Sequence, residues 1–258
     1  LVESEDIRLI VPTIDTELPV LAKEAHRFTV LNCTVLISSE KLIYIAGDKW
    51  ETVNIFRSLG FMVPESWLPH NLPALEMLPE RLVVKPRDGS ASQNVMHVTR
   101  DKIHLALPHV PNPIIQEEVK APEITIDALL DLGGRPVHYV PRIRLRALAG
   151  ESIQGVTISD SGFREWILAV LDAVSSLGGR GPITLQAFLS ERGPILSEIN
   201  PRFGGGFPLT LAAGGDYPAW IVQMVEGKEI GPCFGAYETG LYMTRFYSEL
   251  FFKEPLWR

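Results

Sequence analysis

The chain has 258 residues, 46% of them hydrophobic and 21% charged, with a formal net charge of −7. That length gives ample core for one large domain or two smaller ones, and the composition is that of a soluble globular protein. The acidic balance argues against a nucleic-acid-binding surface, which needs clustered Lys and Arg, but a few converging cations could still hold a polyanion.

Leu1 is not an initiator methionine and stands just ahead of a strand-like run, Ile7 to Val11, so the chain is expected to be a piece whose N-terminal part was removed. Leu18 to Phe28 has helical spacing of its apolar residues, and Val35 to Ile37 reads as a second strand. This β-α-β texture, continuing to about Ala46, is that of the tail of an open parallel α/β domain. Cys33 is one of only two cysteines, with Cys233; neither has metal-ligand spacing, and both read as small apolar fillers in a reducing compartment. Asp48 predicts a helix N-cap, with Val53, Ile55, Phe56 and Leu59 on the apolar face and Gly60 closing the helix. Pro64, Pro69, Pro73 and Pro79 make the next stretch loop and edge.

Leu82 to Pro86 and Val95 to Val98 predict a hairpin around a small, polar loop, followed by a strand from Ile114 to Val119. Ile124 to Leu132 and Val137 to Leu148 alternate as antiparallel strands joined at Gly133-Gly134. Phe163 to Leu177 is an amphipathic helix. Ile183 to Leu189 and Pro194 to Ile199 form a second hairpin, and Gly204 to Gly206 open a loop before a last major helix, Pro218 to Glu226. The sequence has no internal repeat, no apolar run of the roughly 18 residues that span a bilayer, and no signal peptide, so the cytoplasm is the expected location. Strands first alternate with helices and then pair with each other, which predicts a mixed α+β fold after a truncated α/β piece.

The most specific segment is Glu198-Ile-Asn200-Pro-Arg202. Residues two apart on a strand share a face, so Glu198, Asn200 and Arg202 project together, and Gln186 faces the same way across the hairpin. Oxygen ligands beside a guanidinium suit a Mg2+-phosphate site, because Mg2+ takes one or two carboxylates and leaves other positions to water and phosphates; the plain alternative is a solvated polar face. The glycines that follow Phe203 let backbone approach a ligand closely. Lys85 ends a strand ahead of a small-residue loop able to lay N–H groups on phosphates, although no GxxxxGK[ST] or GxGxxG is present; an exposed turn lysine is the competing reading. Glu117 to Glu123 has the character of an interdomain hinge, or of a charged loop. Arg142, Arg144 and Arg146 fall on one strand face and need anionic partners, either Glu123 and Asp127 on the preceding strand or a substrate.

Taken in order, Asp48-Lys49, Val84-Lys85-Pro86 with its loop, Glu117-Glu118-Val119 with Pro122-Glu123, Gln186, and Glu198-Ile-Asn200-Pro-Arg202 resemble an ATP-grasp enzyme over about residues 40 to 245. The segments from Val11 to Asp15, Pro113 to Gln116, Val140 to Arg144, Gly155 to Thr157 and Glu198 to Gly206 most resemble the large subunit of carbamoyl-phosphate synthetase. The resemblance implies an ATP-grasp fold, two α+β subdomains clamping ATP, preceded by the remnant of a Rossmann-like pre-ATP-grasp domain. It implies residues 1–46 as the end of that N-terminal domain and 47–258 as the ATP-grasp domain, with a lid at about 80–119 and a large subdomain at about 120–250. It puts Lys49 and Lys85 on the phosphates under the loop Ser90-Ala91-Ser92-Gln93. Glu117, Glu118 and Val119 fall at the adenine edge, the contact being through the backbone of Glu117 and Val119, and Glu123 falls on the ribose. Gln186, Glu198 and Asn200 become ligands of Mg2+ or Mn2+, and Arg202, with Lys85, serves the chemical step. The implied activity is ligation of a small carboxylic acid to an amine or thiol through an acyl phosphate, releasing ADP and phosphate. A homodimer is compatible with the resemblance; nucleic acid and membrane partners are not expected. A non-catalytic ATP-binding module and a phosphotransferase using the same clamp are the competing functions. Ala91 and Asn94 stand where similar sequences have glycine, and Gly205 stands where carbamoyl-phosphate synthetase has an arginine, so carbamoyl phosphate synthesis is not expected.

Overall fold

The computed structural model describes residues 1–88, 94–148, 151–246 and 248–253. Near the N-terminus β1 (Leu9–Ile10) and β2 (Thr34–Val35) pair in parallel, with helix α1 (Leu18–Thr29) between them. Each strand is only two residues long, shorter than the runs Ile7 to Val11 and Val35 to Ile37, and Leu9 and Ile10 are half-buried. Helix α2 (Glu40–Gly47), which the sequence reading left unplaced, starts at Ser39, whose hydroxyl accepts the Leu42 N–H at 3.2 Å. Helix α3 (Lys49–Ser58) starts at Asp48, which accepts the Trp50 N–H at 2.8 Å, the N-cap its residue type favours. Val53 and Phe56 are buried and Gly60 ends the helix at φ +88°, but Leu59 is exposed.

The proline-rich stretch gives only a short edge strand, β3 (Ser66–Trp67), and two single 3-10 turns. Next come β4 (Arg81–Pro86), β5 (Met96–Thr99), the short helix α4 (Ile103–Ala106) and β6 (Pro113–Glu117). They form a four-stranded antiparallel sheet in the order β3-β6-β4-β5. The strand period of two sorts β4: Leu82 and Val84 join a small core with Ile103, Ala106 and Ile115, while Arg81, Val83 and Lys85 face a cleft.

The larger sheet has six strands in the order β11-β10-β7-β8-β9-β12. They are β7 (Glu123–Leu130), β8 (Pro136–Leu148), β9 (Glu151–Thr157), β10 (Gly181–Ser190), β11 (Gly193–Asn200) and β12 (Tyr242–Thr244). Helix α5 (Arg164–Ser176) lies on one face: Ile124, Ile126 and Ala128 pack against its Ile167, Val170 and Val174, with Leu42 of α2 and Phe56 of α3 completing the core. On the opposite face Leu129 and Val137 are covered by Tyr217 and Ile221 of α7 (Tyr217–Val225), while the other end of that face stays polar and open. Strands β9 and β12 and the short helix α6 (Phe207–Ala212) were not foreseen. Strand β12 is brief and solvent-facing, and α6 is too short for a periodic signal.

Candidate active site

A cleft of about 530 Å3 separates the two sheets, and Lys49, Lys85, Glu123, Gln186 and Glu198 all line it. Lys49 begins α3, and Lys85 reaches the cleft because β4 alternates. Burial pulls the Lys85 ammonium down to about 8; nearby Glu198 and Glu123 oppose that shift and Lys49 reinforces it. Two lysines converging on a partly desolvated spot favour an anion there. Arg87 is tied to Asp48 by two bonds, 3.1 and 2.5 Å long. Its charge is therefore met by the N-cap of α3. Ser90, Ala91, Ser92 and Gln93 lie outside the described residues; beside them Asn94 adopts φ +55°, the left-handed backbone that Asn tolerates.

Glu117 ends β6, its N–H donating to Glu65 at 2.9 Å and its carboxylate accepting the Glu65 N–H at 3.1 Å. Glu118 accepts from Arg81 at 2.7 Å and contacts His97 at 2.6 Å; these two partners hold its carboxyl down at about 2. Val119 lines the cleft, and its backbone makes no hydrogen bond among the described residues. Glu123 receives two hydrogen bonds from Arg144, at 2.8 and 2.9 Å.

Across the hairpin Gln186 stands opposite Glu198. A bulge after Gln186 lets Ser197 turn its hydroxyl to the Gln186 carbonyl at 3.1 Å. Glu198 accepts from Asn200 Nδ2 at 3.2 Å, and Arg202 Nη2 lies 3.4 Å from Asn200 Oδ1. Gln186, Glu198 and Asn200 thus offer three oxygen groups with a single carboxylate. Among the described residues no group of three His, Cys, Asp or Glu side chains could hold a metal. A hard cation that also takes phosphate oxygens is the ion such a set fits. Arg202 gives its fork to Asp15, with Nε and Nη2 each 2.6 Å from a carboxylate oxygen. Asp15 opens a single 3-10 turn, Asp15–Glu17, directly ahead of α1, and the sequence around it carries no signal for this pairing.

The three alternating arginines part company. Arg142 is buried and paired with Asp127 at 2.8 Å, while Thr210 and Thr184 also donate to Asp127. Arg144 pairs with Glu123, so both arginines took the structural partners on the preceding strand. Bulges in the β8–β9 pairing break the alternation at Arg146, which is exposed and lines neither cavity described here. The Arg142 Nη1 is buried without a hydrogen bond in the protein. Gly206 lies flat against that guanidinium, and a Cβ added there would collide with it. Gly206→Ala should therefore cost about 1–3 kcal/mol of stability, the usual range for overpacking, read as a lower urea midpoint; an unchanged midpoint would show that Arg142 can move aside.

A second cavity, about 570 Å3, adjoins the cleft and shares Arg144, Gln186 and Glu198 with it. Its remaining wall includes Thr13, Ile14 and Asp15, the turn Gly204–Gly206, and Arg245 beyond β12. The sequence offered no signal for Arg245, because only the pairing of β12 with β9 brings it to the site.

A family profile describing the ATP-grasp domain matches residues 46–206, more than half of the chain. The protein belongs to the ATP-grasp family. Its fold is found in the biotin carboxylase domain of 2-oxoglutarate carboxylase from Hydrogenobacter thermophilus, a dimer in complex with MgADP, ADP and bicarbonate. That domain is 14% identical, with a TM-score of 0.77 over 93% of this chain and 58% of the other. Biotin carboxylase from Campylobacter jejuni is 13% identical with a TM-score of 0.76, over 93% and 59%. L-amino acid ligase from Bacillus licheniformis is 24% identical with a TM-score of 0.64, over 85% and 58%. The chain thus spans under three-fifths of each of these proteins. No curated protein matches it in sequence.

Proposed function

We propose that this chain is the nucleotide-binding core of a Mg-ATP-dependent ligase that activates a small carboxylic acid as an acyl phosphate for attack by an amine or thiol. The observation that carries the reading is the convergence, between two sheets, of two lysines with an oxygen-rich set around Glu198. Adenine would lie along the hinge at Glu117 to Val119 with the Val119 backbone at its edge, and the ribose hydroxyls near Glu123. Lys49 and Lys85 would meet the phosphates. Gln186, Glu198 and Asn200 would hold Mg2+, which supplies charge neutralisation at the transferring phosphoryl group. Arg202, aimed by Asp15, would steady the negative charge on the acid as it is phosphorylated, and Arg144, positioned by Glu123, would stand between nucleotide and acid.

The same reading takes residues 1–46 as the end of an N-terminal α/β domain and 47–258 as the ATP-grasp domain, with residues at about 80–119 as lid and about 120–250 as the large subdomain. Within the family, the closer kinship proposed is with the large subunit of carbamoyl-phosphate synthetase, on the sequence segments quoted above, without its reaction. The decisive assay supplies Mg-ATP with panels of acids and amines. ADP release that needs both an acid and a nucleophile is expected. Release without an acid would replace the ligase with a phosphotransferase or hydrolase, and no release with any pair would leave a binding module.

A further inference from the structure

Resting on the ligase reading, we infer that Arg144 is the guanidinium that anchors the acid's carboxylate beside the nucleotide, and that the acid is a monocarboxylate with an apolar body. Acyl-phosphate formation joins a carboxylate oxygen of the acid to the γ-phosphorus of ATP. The bond from that phosphorus to the β-phosphate oxygen breaks, and its electron pair leaves with ADP. No proton moves in this step, so the carboxylate must wait with its charge held, within reach of the phosphoryl group. That place is where the nucleotide cleft opens into the second cavity, and Arg144, Gln186 and Glu198 are the residues common to both walls. Gln186 is neutral and Glu198 repels a carboxylate, which leaves Arg144 to receive it.

The hydrogen bonds of Arg144 suit that task. A single nitrogen, Nη2, donates to both Glu123 oxygens, at 2.8 and 2.9 Å. Glu123 lines the cleft and not the second cavity, so the guanidinium is held from the nucleotide side. Nε and Nη1 make no hydrogen bond among the described residues, and the side chain stays 20% exposed, against 3% for Arg142. Arg142 is thus sealed in the wall, while Arg144 can touch a ligand. Arg202 and Arg245 line the second cavity only. The Arg202 fork holds Asp15, and Nη1 donates to the Phe203 carbonyl at 3.0 Å, so Arg202 acts on the acid through its charge and not through a fork. Arg245 Nη2 donates to the Gly205 carbonyl, away from the opening that Gln186 and Glu198 mark.

The second cavity specifies what lies behind the carboxylate. Ile14 lines it and is 59% exposed. Phe203 and Phe207 line it as well, their rings packed with centroids 4.5 Å apart. An acid whose body covers these residues buries apolar surface that now meets water. A second carboxylate on that body gives up hydration against the same surface, which disfavours dicarboxylates.

The test is equilibrium binding, by calorimetry with Mg-ADP present, of phenylacetate, isovalerate, acetate and succinate to the chain and its variants. Phenylacetate and isovalerate should bind about tenfold more tightly than acetate or succinate. Arg144→Ala should weaken phenylacetate about tenfold or more, the worth of a charge-assisted hydrogen bond, and leave Mg-ADP affinity within about threefold. Arg144→Lys keeps the charge without the planar fork and should fall between the two. It should still lose more phenylacetate affinity than Arg202→Lys or Arg245→Lys, whose residues stand away from the opening. Unchanged phenylacetate affinity in Arg144→Ala, parallel loss of phenylacetate and Mg-ADP, a larger loss in Arg202→Lys or Arg245→Lys, preference for succinate, or no binding of any acid would each overturn the inference. A protein that binds phenylacetate through Arg144 yet releases no ADP with any acid and amine would lose the ligase reading and keep the anchor. Acid- and amine-dependent ADP release that survives Arg144→Ala would do the reverse.

Discussion

Glu198→Gln should lower turnover on the order of a thousandfold while leaving the melting temperature nearly unchanged. Glu198 is the one carboxylate of the proposed metal set, half-buried on β11 opposite Gln186 and within 3.2 Å of Asn200 Nδ2. Glutamine keeps the shape and can still accept from Asn200, so the strand pairing has no reason to fail. It loses the negative charge that would hold Mg2+ against the phosphates, and metal-centred charge stabilisation in phosphoryl transfer is worth several kcal/mol, about tenfold in rate for each 1.36 kcal/mol. Glu198 also raises the Lys85 ammonium pKa, so the variant should lose part of the lysine charge near neutrality as well. The measurement is steady-state ADP release alongside thermal unfolding. Near-normal release from a folded variant would remove Glu198 from the metal site.

Much of the fold was legible because its strongest signals are local. Alternation on Leu82 to Pro86 and on Ile124 to Leu130, the Asp48 N-cap, and the apolar periodicity of Arg164 to Ser176 each depend on residues a few positions apart. What was missed depends on distant pairing or on too few residues: α2 follows a strand of two residues, β12 forms only against β9, and α6 has six residues. The bulges around Arg146 likewise cannot be read from an arginine at every second position, because they arise from the fit of β8 to β9.

The site divides in the same way. The faces taken by Lys85 on β4 and by Glu198 and Asn200 on β11 follow from the alternation of each strand, which is local. Sequence left open whether Arg142 and Arg144 meet protein carboxylates or a ligand, and the register chose Asp127 and Glu123. The engagement of Arg202 by Asp15 and the reach of Arg245 to Gly205 span 187 and 40 positions. No motif in either residue's neighbourhood points to its partner.

Nucleotide affinity should fall as pH rises through about 8, and Lys85 should be the cause. Its ammonium is pulled down to about 8 chiefly by burial in the cleft, with Lys49 adding to the shift. Below that pH the lysine is charged before the phosphates arrive. Above it, in the free protein, the side chain is neutral, and a triphosphate can bind well only by drawing a proton onto it. Bound phosphates favour the charged form and raise the lysine pKa again, so binding takes up as much as one proton above about pH 8. Linkage then weakens Mg-ADP by up to about tenfold per pH unit until the bound-state value is reached. Lys85→Arg keeps its charge throughout and should flatten the profile over the same window. Lys85→Ala should weaken Mg-ADP at pH 7 by much more than it weakens adenosine, because the lysine meets phosphate and not base. Calorimetry from pH 7 to pH 9.5 in buffers of different ionisation enthalpy counts the proton directly. A flat affinity profile in the unaltered protein, or equal losses of adenosine and Mg-ADP in Lys85→Ala, would take Lys85 out of the phosphate site.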